Sequence, residues 1–318
     1  MKDDPEQFQM PQELRDVIRG GRCVAFIGSG LSVGSYPSWS DLVNGLCKAC
    51  GSSCRVGDDS QPDEFLDAAQ DAKSLDEIAY FKFLGEVFGP PADQVSLTYD
   101  AILSLPFDCY VTVNLDRLLA LKSRRARPEC AKDIHAYPAL DRKTPKRSIH
   151  YLHGFIRQGT TPVDGTIVLA RTEFDEAYDD KGNLMNFLVP TLENDPIVFI
   201  GCRLREPVMP RVFAICKQHQ QRRKELAAKL GGRNANPPKR FILLPRKRFH
   251  IDKGNAEEME QSRLQLTEDA YYRDMDIEPV RYPVVGGDHW QLRLALERLA
   301  DLRDIAPEYG WSGGNDVI

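Results

Sequence analysis

The chain lacks the two features that direct a protein into or across a membrane. None of its 318 residues belongs to an uninterrupted apolar run of about 18 residues, which a membrane-spanning helix requires. The first residues do not combine a basic start with an apolar core, as a signal peptide does. We therefore expect a cytoplasmic protein that makes no membrane contact. With 42% hydrophobic and 28% charged residues, a chain of this length can bury a full core.

The sequence also lacks the paired cysteines of a structural zinc site. Among its eight cysteines, Cys47, Cys50 and Cys54 have a spacing typical of metal ligands. Zinc needs a fourth ligand, however, and no second Cys-x-x-Cys pair exists in the chain. Because Cys47 and Cys50 lie three residues apart in a predicted helix, buried core thiols are the favoured interpretation. We expect no bound metal, and free thiols in a reducing compartment.

The net charge of -5 gives little support for nucleic-acid binding. Basic residues cluster at 122–127, 222–224 and 246–248, but such clusters are usually solvated faces. Direct nucleic-acid binding is therefore not expected.

Apolar, β-branched runs predict the strands of a parallel sheet. They occupy residues 23–27, 108–113, 149–152, 196–200, 240–244 and 277–282. Helical patterns alternate with them, which predicts an α/β fold with a Rossmann-like, doubly wound parallel sheet. Three helical patterns between the first two strands predict a helical insertion over residues 64–103. We expect one domain over residues 1–306 and a flexible tail over residues 307–318.

The first predicted strand ends in the turn Gly28-Ser29-Gly30-Leu31-Ser32. Two glycines let the backbone approach a pyrophosphate closely with its N–H groups toward the ligand. The dinucleotide fingerprint has a third glycine where this chain has Val33, and an acidic residue about twenty residues later, which is missing. A strand followed by a flexible turn is the alternative. The loop that follows contains Tyr36 and Pro37, so it can close over a ligand, and Ser40 is the predicted N-cap of a helix over residues 41–49.

Polar residues follow two further predicted strands. Asn114 and Asp116 come after the second strand, and His153 comes after the third. Ligands of open α/β sheets bind at the carboxyl ends of the strands, which makes these residues candidates for chemistry. The alternatives are structural: Asn114 as the N-cap of a helix over residues 115–121, with Asp116 favourable to its dipole, and His153 as a satisfied structural residue.

The order of these motifs resembles the Sir2 superfamily, and within it the prokaryotic Sir2-like branch found in anti-phage defence proteins. The turn at 28–32 is similar to the family's Gly-Ala-Gly-x-Ser loop, and the sequence Pro37-Ser38-Trp39 is similar to the Pro-x-Trp of this branch. The stretch 112–116 resembles its Thr-x-Asn-x-Asp motif, and His153-Gly154 resembles the His-Gly of its catalytic histidine. Gly201-Cys202 with Glu206-Pro207 resembles the later loop that receives the adenosine side. The resemblance covers about residues 20–300.

The resemblance implies that NAD is the substrate and that its nicotinamide–ribose bond is cleaved to give nicotinamide and ADP-ribose. Asn114 would orient the ribose or the attacking water, His153 would be the general base, and Asp116 would hold Asn114 or a ribose hydroxyl. The residues implied in NAD binding are Gly28, Ser29, Gly30, Ser32, Ser38, Trp39, Asn114, Asp116, His153, Gly201 and Cys202.

Two other functions and a set of partners remain open at this point. Deacylase sirtuins carry two Cys-x-x-Cys pairs after the catalytic histidine, whereas this chain has only Cys202 and Cys216 there, so a deacylase or ADP-ribosyltransferase is the less favoured enzyme. An inactive NAD-binding scaffold is the third hypothesis.

An unrestrained NAD hydrolase would drain its host of NAD, so we expect its activity to be gated by assembly. The expected partners are further copies of the chain and, by resemblance, a HerA-type ATPase or an Argonaute-like protein.

Overall fold

A computed structural model describes residues 7–57, 59–89, 96–126, 133–141, 147–157, 165–180, 182–230, 236–246, 255–284 and 289–304. The helices within these residues are α1 (Gln12–Arg19), α2 (Trp39–Ala49), α3 (Pro62–Leu75), α4 (Glu77–Phe88), α5 (Thr98–Ser104), α6 (Leu118–Ala126), α7 (Arg171–Ala177), α8 (Asn183–Asn194), α9 (Val208–Leu230), α10 (Asn255–Asp274) and α11 (Trp290–Asp304). The strands are β1 (Val24–Ile27), β2 (Cys109–Thr112), β3 (Ile134–Ala136), β4 (Ile149–Tyr151), β5 (Ile197–Ile200), β6 (Arg240–Arg246) and β7 (Glu278–Pro283). None of the helices in the described part of the chain is both long and apolar enough to cross a bilayer.

The strands form one parallel sheet in the order β3-β4-β2-β1-β5-β6-β7. The chain starts in the middle of the sheet at β1 and extends to both sides, which is the doubly wound arrangement. The α/β fold and the Rossmann-like sheet predicted from the sequence are therefore confirmed. All six predicted strands are present, with small shifts at their ends.

Three local predictions differ from the structure. β3 is an additional strand with half-buried residues at the edge of the sheet, inside a basic connection that has no apolar run. The helix expected over residues 115–121 begins at Leu118, because the Asp116 Oδ1 atom accepts a hydrogen bond from the Leu118 amide. Ser38, rather than Ser40, caps α2, because its Oγ atom accepts from the Asp41 amide.

The core has three parts, and two of them cover the faces of the sheet. One face packs against α1, α5, α6 and α11, and the other against α7 to α10. The third part, the insertion cluster, consists of α2, α3 and α4 packed around buried side chains such as Leu46, Ala69 and Leu84. The expected insertion over residues 64–103 is thus divided: α3 and α4 belong to the insertion cluster, whereas α5 packs against α11 and α6 beside the sheet.

The insertion cluster also contacts the carboxyl edge of the sheet. Leu115, which follows β2, and Ile156, which follows β4, belong to the same apolar core as α2, α3 and α4. Since Leu115 lies between Asn114 and Asp116, the insertion cluster is anchored directly beside the polar residues at this edge.

Candidate active site

Four strands end at the same level of the sheet. Ile27 of β1 is opposite Thr112 of β2 and Ile200 of β5, and Thr112 is opposite Tyr151 of β4. The residues directly after these four strands therefore meet at one edge, and all the candidates except Ser38 and Trp39 follow one of these strands closely. This is the position where open α/β sheets bind their ligands.

A buried hydrogen-bonded network joins the turn after β1 to the turn after β2. The Ser32 hydroxyl donates to the Asp116 Oδ2 atom at 2.7 Å and accepts from the Asn114 Nδ2 atom at 3.2 Å. All three side chains are buried. The structure therefore brings together the Ser of the glycine turn with the Asn and Asp that the sequence identified separately.

Tyr99 completes this network and was not predicted. Its hydroxyl lies 2.9 Å from the Ser32 Oγ atom, and its ring is fully buried in α5. Burial, with the nearby Asp116 charge, raises the Tyr99 pKa well above its ordinary value, so the phenol stays protonated. Tyr99 lies 67 residues from Ser32 in the sequence and belongs to no motif, so no sequence signal indicates it.

Asn114 has one side-chain atom without a partner in the described residues. Its backbone amide donates to the Thr112 Oγ1 atom at 3.1 Å and its Nδ2 atom donates to Ser32, but the buried Oδ1 atom accepts no hydrogen bond. Asn114 therefore does not cap a helix; Asp116 does that through its Oδ1 atom. Because a buried, unpaired acceptor is costly, the Oδ1 atom is well suited to receive a ligand hydroxyl or a water.

The carboxyl group of Asp116 is positioned by donors on both oxygens. Desolvation by burial raises its pKa, while the hydrogen bonds from Ser32 and the Leu118 amide act in the opposite direction. With both oxygens occupied, Asp116 orients Ser32 and, through it, Asn114.

His153 lies in an apolar, aromatic pocket on the other side of the edge. Its Nε2 atom is 2.8 Å from the hydroxyl of Tyr178, which follows α7, and its ring meets Phe174 of α7 edge to face. Burial lowers the His153 pKa to about 4, so the imidazole is neutral near pH 7 and has a lone pair to accept a proton. Tyr178, like Tyr99, was not predicted from the sequence.

Gly154 explains why glycine follows the histidine. Its φ of 73° lies in the left-handed region, and a Cβ atom there would come within 2.0 Å of the Thr166 carbonyl oxygen. No other residue fits without movement of the backbone. The His-Gly pair is thus required by the close approach of the chain at residue 166.

The glycines of the first turn allow a close contact with the loop after β5. A Cβ atom at Gly28 or Gly30 would lie 2.5 or 2.7 Å from the Gly201 carbonyl oxygen, so both glycines permit contact with the loop after β5. The Gly30 amide donates to that oxygen at 2.8 Å, and the amides of Gly28, Leu31 and Ser32 also donate to carbonyls of the chain. These four N–H groups are already bonded, whereas Ser29 and Gly30 are exposed at the surface of the turn.

The loop after β5 contains a buried thiol and a buried carboxyl oxygen. Burial, reinforced by the Glu206 charge, raises the Cys202 pKa well above its ordinary value, so this thiol is not a nucleophile at neutral pH. The Glu206 Oε2 atom is buried and has no partner among the described residues, and burial raises its pKa. Its charge also raises the Tyr178 pKa, which places Glu206 near the His153 pocket.

Ser38 and Trp39 make their contacts within the insertion cluster. Ser38 caps α2, and the Trp39 ring packs against Phe65 of α3 with centroids 6.2 Å apart. Trp39 is 40% exposed. The structure thus unites Ser32, Asn114 and Asp116, and unites Gly28, Gly30, Gly201 and Cys202, but joins Ser38 and Trp39 to neither group.

In the described parts of the chain, no three His, Cys, Asp or Glu residues are arranged to hold a metal ion. Cys47 and Cys50 are buried in the insertion cluster, and the Cys54 thiol donates to Asp71 at 3.1 Å.

Comparison with known families agrees with this geometry. The family model for the SIR2-like domain matches residues 108–267, which is half of the chain and includes Asn114, Asp116, His153, Gly201 and Cys202. No curated protein sequence is similar enough to count as a match. The chain therefore belongs to the SIR2-like domain family, whose members bind NAD.

Proposed function

We propose that the chain is an NAD hydrolase that cleaves the nicotinamide–ribose bond to give nicotinamide and ADP-ribose. One observation carries the proposal: the buried, unpaired Asn114 Oδ1 atom and the neutral imidazole of His153 follow two neighbouring strands that end at the same level. A hydrogen-bond acceptor for a hydroxyl or water and a group that can take a proton are what this hydrolysis requires from the protein.

The chemistry suits this small set of residues. Nicotinamide leaves as a neutral molecule with the electron pair of the broken bond, so the protein needs no general acid and must only stabilise a positive ribose and direct water to it. Asn114 holds the water or a ribose hydroxyl at its Oδ1 atom. His153 takes the proton that the water loses and passes it to solvent.

The remaining buried groups keep these two residues in place. Ser32, Tyr99 and Asp116 fix the amide orientation of Asn114, because the Nδ2 atom must donate to Ser32 and the Oδ1 atom then faces the other way. Tyr178 fixes the ring of His153. Gly201 and Cys202 receive the adenosine side of NAD in this proposal, next to the turn of Gly28 and Gly30.

We further propose that the hydrolase is the effector of an anti-phage defence system and is gated by assembly. The partners proposed are further copies of the chain and a HerA-type ATPase or Argonaute-like protein. The packing of Leu115 and Ile156 into the insertion cluster supports a route for gating, since a contact on the outer face of α3 or α4 can shift the turn that carries Asn114. The exposed basic segment of α9 at residues 222–224 is a second surface for an acidic partner.

Release of nicotinamide from NAD by the purified chain, with and without a candidate partner, tests the proposal. We expect Asn114→Ala and His153→Ala each to lower the rate about a hundredfold or more, the scale of losing a positioned acid/base group. Asn194→Ala and His219→Ala, which change the same residue types on α8 and α9, are the matched controls and should retain the rate.

The products separate the alternatives. Free ADP-ribose indicates hydrolysis, whereas ADP-ribose attached to a protein indicates transfer, and consumption of NAD only with an acylated peptide indicates a deacylase. Tight binding of NAD with no turnover under any condition would indicate a scaffold and contradict the proposal, as would an undiminished rate in His153→Ala.

A further inference from the structure

A row of polar contacts joins α3 of the insertion cluster to α7. The Lys73 ammonium group donates a hydrogen bond to the Glu173 Oε1 atom at 2.9 Å. The Thr172 amide and hydroxyl both donate to the Gln70 Oε1 atom, at 3.1 and 2.8 Å. Arg171 forms ion pairs with two carboxylates in the first half of α3. We call this set of contacts the α3–α7 seam.

The ion pair of Lys73 and Glu173 is the buried part of the α3–α7 seam. These two side chains are 11% and 7% exposed, whereas the carboxylates paired with Arg171 are more than half exposed. Exposed ion pairs contribute little stability because water screens them. A buried carboxylate is different, because loss of its cation leaves an uncompensated charge. Lys73 is therefore the seam residue that most strongly fixes α7 relative to α3.

Glu173 also holds the start of its own helix. Its Oε2 atom accepts hydrogen bonds from the amides of Leu169 and Ala170, at 2.9 and 2.8 Å. The carboxylate thus has two donors from the chain just before α7 and one donor from α3. Removal of the Lys73 ammonium group breaks the link between the two helices and leaves both amide hydrogen bonds in place. The link can therefore be tested without unfolding α7.

The other side of α7 forms the aromatic pocket of His153. The Phe174 ring meets the imidazole edge to face, and the Tyr178 hydroxyl lies 2.8 Å from its Nε2 atom. The Phe174 and Tyr178 rings also pack on each other, with centroids 4.5 Å apart. Phe174 directly follows Glu173, so the residue held by α3 and a residue against the imidazole are neighbours on one short helix. A shift of α7 therefore moves both aromatic rings relative to His153.

The segment that leads into α7 is bound to the backbone of His153. The Val168 amide donates to the His153 carbonyl oxygen at 3.1 Å. Ile167 and Leu169 are buried in the insertion cluster, whereas Val168 is buried in the core that covers the sheet. The backbone of His153 is thus held by the segment before α7, while its ring is held by α7 itself. Movement at the α3–α7 seam should therefore change the surroundings of the ring.

We propose that the α3–α7 seam sets the position of the His153 ring and that Lys73 is its central positioning residue. The inference rests on the proposed function in one respect, namely that His153 is the base of the hydrolysis. Lys73 acts through Glu173 and α7, so it is not a catalytic residue. The insertion cluster then controls the site by a second route, separate from the turn that carries Asn114. A partner that binds the exposed side of α3 can use this route.

The NMR signal of the His153 imidazole Cε1–H group tests the seam without any measurement of activity. His153→Ala identifies this signal among those of the six histidines. We expect Lys73→Met to shift the signal and to raise the pKa measured from it above about 4, because water then reaches a ring that is now buried. Lys73→Arg keeps the charge and the donors, so it should restore the signal. Lys82→Met removes an exposed lysine from its ion pair with Glu86 on α4 and should leave the signal unchanged.

Nicotinamide release gives a second measurement. In an active chain, Lys73→Met should lower kcat about tenfold to a hundredfold and change KM for NAD less, because a misplaced base slows the chemical step. Lys73→Met should have a much smaller effect when it is added to Tyr178→Phe, because both changes act on the position of the same imidazole. Lys82→Met should keep the kcat of the unaltered chain.

The outcomes separate this inference from the proposed function. If Lys73→Met does not fold, as judged by its melting curve, Gln70→Ala carries the test, because its hydrogen bonds to Thr172 are exposed to solvent. An unchanged His153 signal in the folded variant, or effects of Lys73→Met and Tyr178→Phe on kcat that simply multiply, would overturn the role of the seam. A His153 signal that responds to Lys73 in a chain that never releases nicotinamide would refute the hydrolase and keep the seam. Nicotinamide release with an unchanged kcat in folded Lys73→Met would refute the seam and keep the hydrolase.

Discussion

His150 should make the folded chain sensitive to acid. The His150 ring on β4 is buried between the His135 ring, stacked at 5.2 Å, and the Phe187 ring at 4.8 Å, and its Nε2 atom lies 2.9 Å from the Ser148 hydroxyl. Burial, followed by the charge of His135, lowers the His150 pKa to about 4, while Asp141 raises it slightly. The imidazole is therefore neutral in the folded chain and takes up a proton readily only after unfolding.

The sign and size of the effect follow from the pKa of His150 in the folded chain and the ordinary pKa of a histidine in the unfolded chain. Between pH 6.5, where an unfolded histidine titrates, and about pH 4, where folded His150 titrates, the unfolded chain binds one more proton than the folded chain. The free energy of unfolding falls as the pH drops through this window. For a shift from 6.5 to about 4, the loss between pH 7 and pH 5 is about 2 kcal/mol.

Urea unfolding of the chain and of His150→Gln at pH 7 and pH 5 measures this loss. Other groups titrate in the same range: His153 acts in the same direction, and Asp116 and Glu206, whose pKa values are raised by burial, act in the opposite one. They are present in both proteins, so they cancel in the comparison. We expect the unaltered chain to lose about 2 kcal/mol more than His150→Gln. An equal loss in both proteins would refute the reasoning.

Four further results are expected. Gly154→Ala should lower the free energy of unfolding by about 2 kcal/mol or more, because the new methyl group meets the Thr166 carbonyl; Gly57→Ala, in open space, is its control, and equal melting temperatures would contradict the argument. Tyr178→Phe should cost about 1 to 3 kcal/mol, since it leaves the buried His153 Nε2 atom without a partner, and should lower kcat for nicotinamide release more than it changes KM; an unchanged stability in urea would contradict it. Nicotinamide release should be nearly constant from about pH 5.5 to 8, because neutral His153 is already the base there, and an acid limb near pH 6.5 would oppose this. Elemental analysis should find no stoichiometric zinc, and one zinc per chain would refute the cysteine interpretation.

The sequence predicts the sheet well because each central strand is buried on both faces. Runs such as residues 196–200 are uniformly apolar for that reason, and the turn that follows each run is easy to locate. β3 was not predicted from the sequence. Its three residues are half-buried at the edge of the sheet, so the strand does not require an apolar run. In the structure, β3 pairs in parallel with β4.

The candidate site is predictable only where it lies at the end of a strand. Asn114, Asp116 and His153 follow apolar runs, so their position in the sheet can be inferred from the local sequence. Tyr99 lies in α5 and Tyr178 directly follows α7, on opposite faces of the sheet, and only the folded chain brings them to Ser32 and His153. A local sequence motif identifies the candidate residues at a strand end, but it does not identify the buried groups of other elements that form hydrogen bonds with them.

The glycine turn has a packing requirement that the local sequence does not reveal. The sequence predicts that Gly28 and Gly30 let the backbone approach a phosphate, and in the structure their missing side chains also make room for the Gly201 carbonyl oxygen. The sequence contains no sign of this contact, because Gly201 is about 170 residues further along the chain.

The position of Leu115 limits which deletions and mutations in the insertion cluster this chain can tolerate. Its side chain is part of the apolar core of α2, α3 and α4, while its neighbours on either side, Asn114 and Asp116, belong to the polar network. Removal of α3 and α4 would expose Leu115 and Ile156 to water and loosen the two turns that carry them. A smaller version of this protein would therefore have to replace those helices with another apolar cover, and mutations deep inside the insertion cluster should alter turnover without touching any residue of the site.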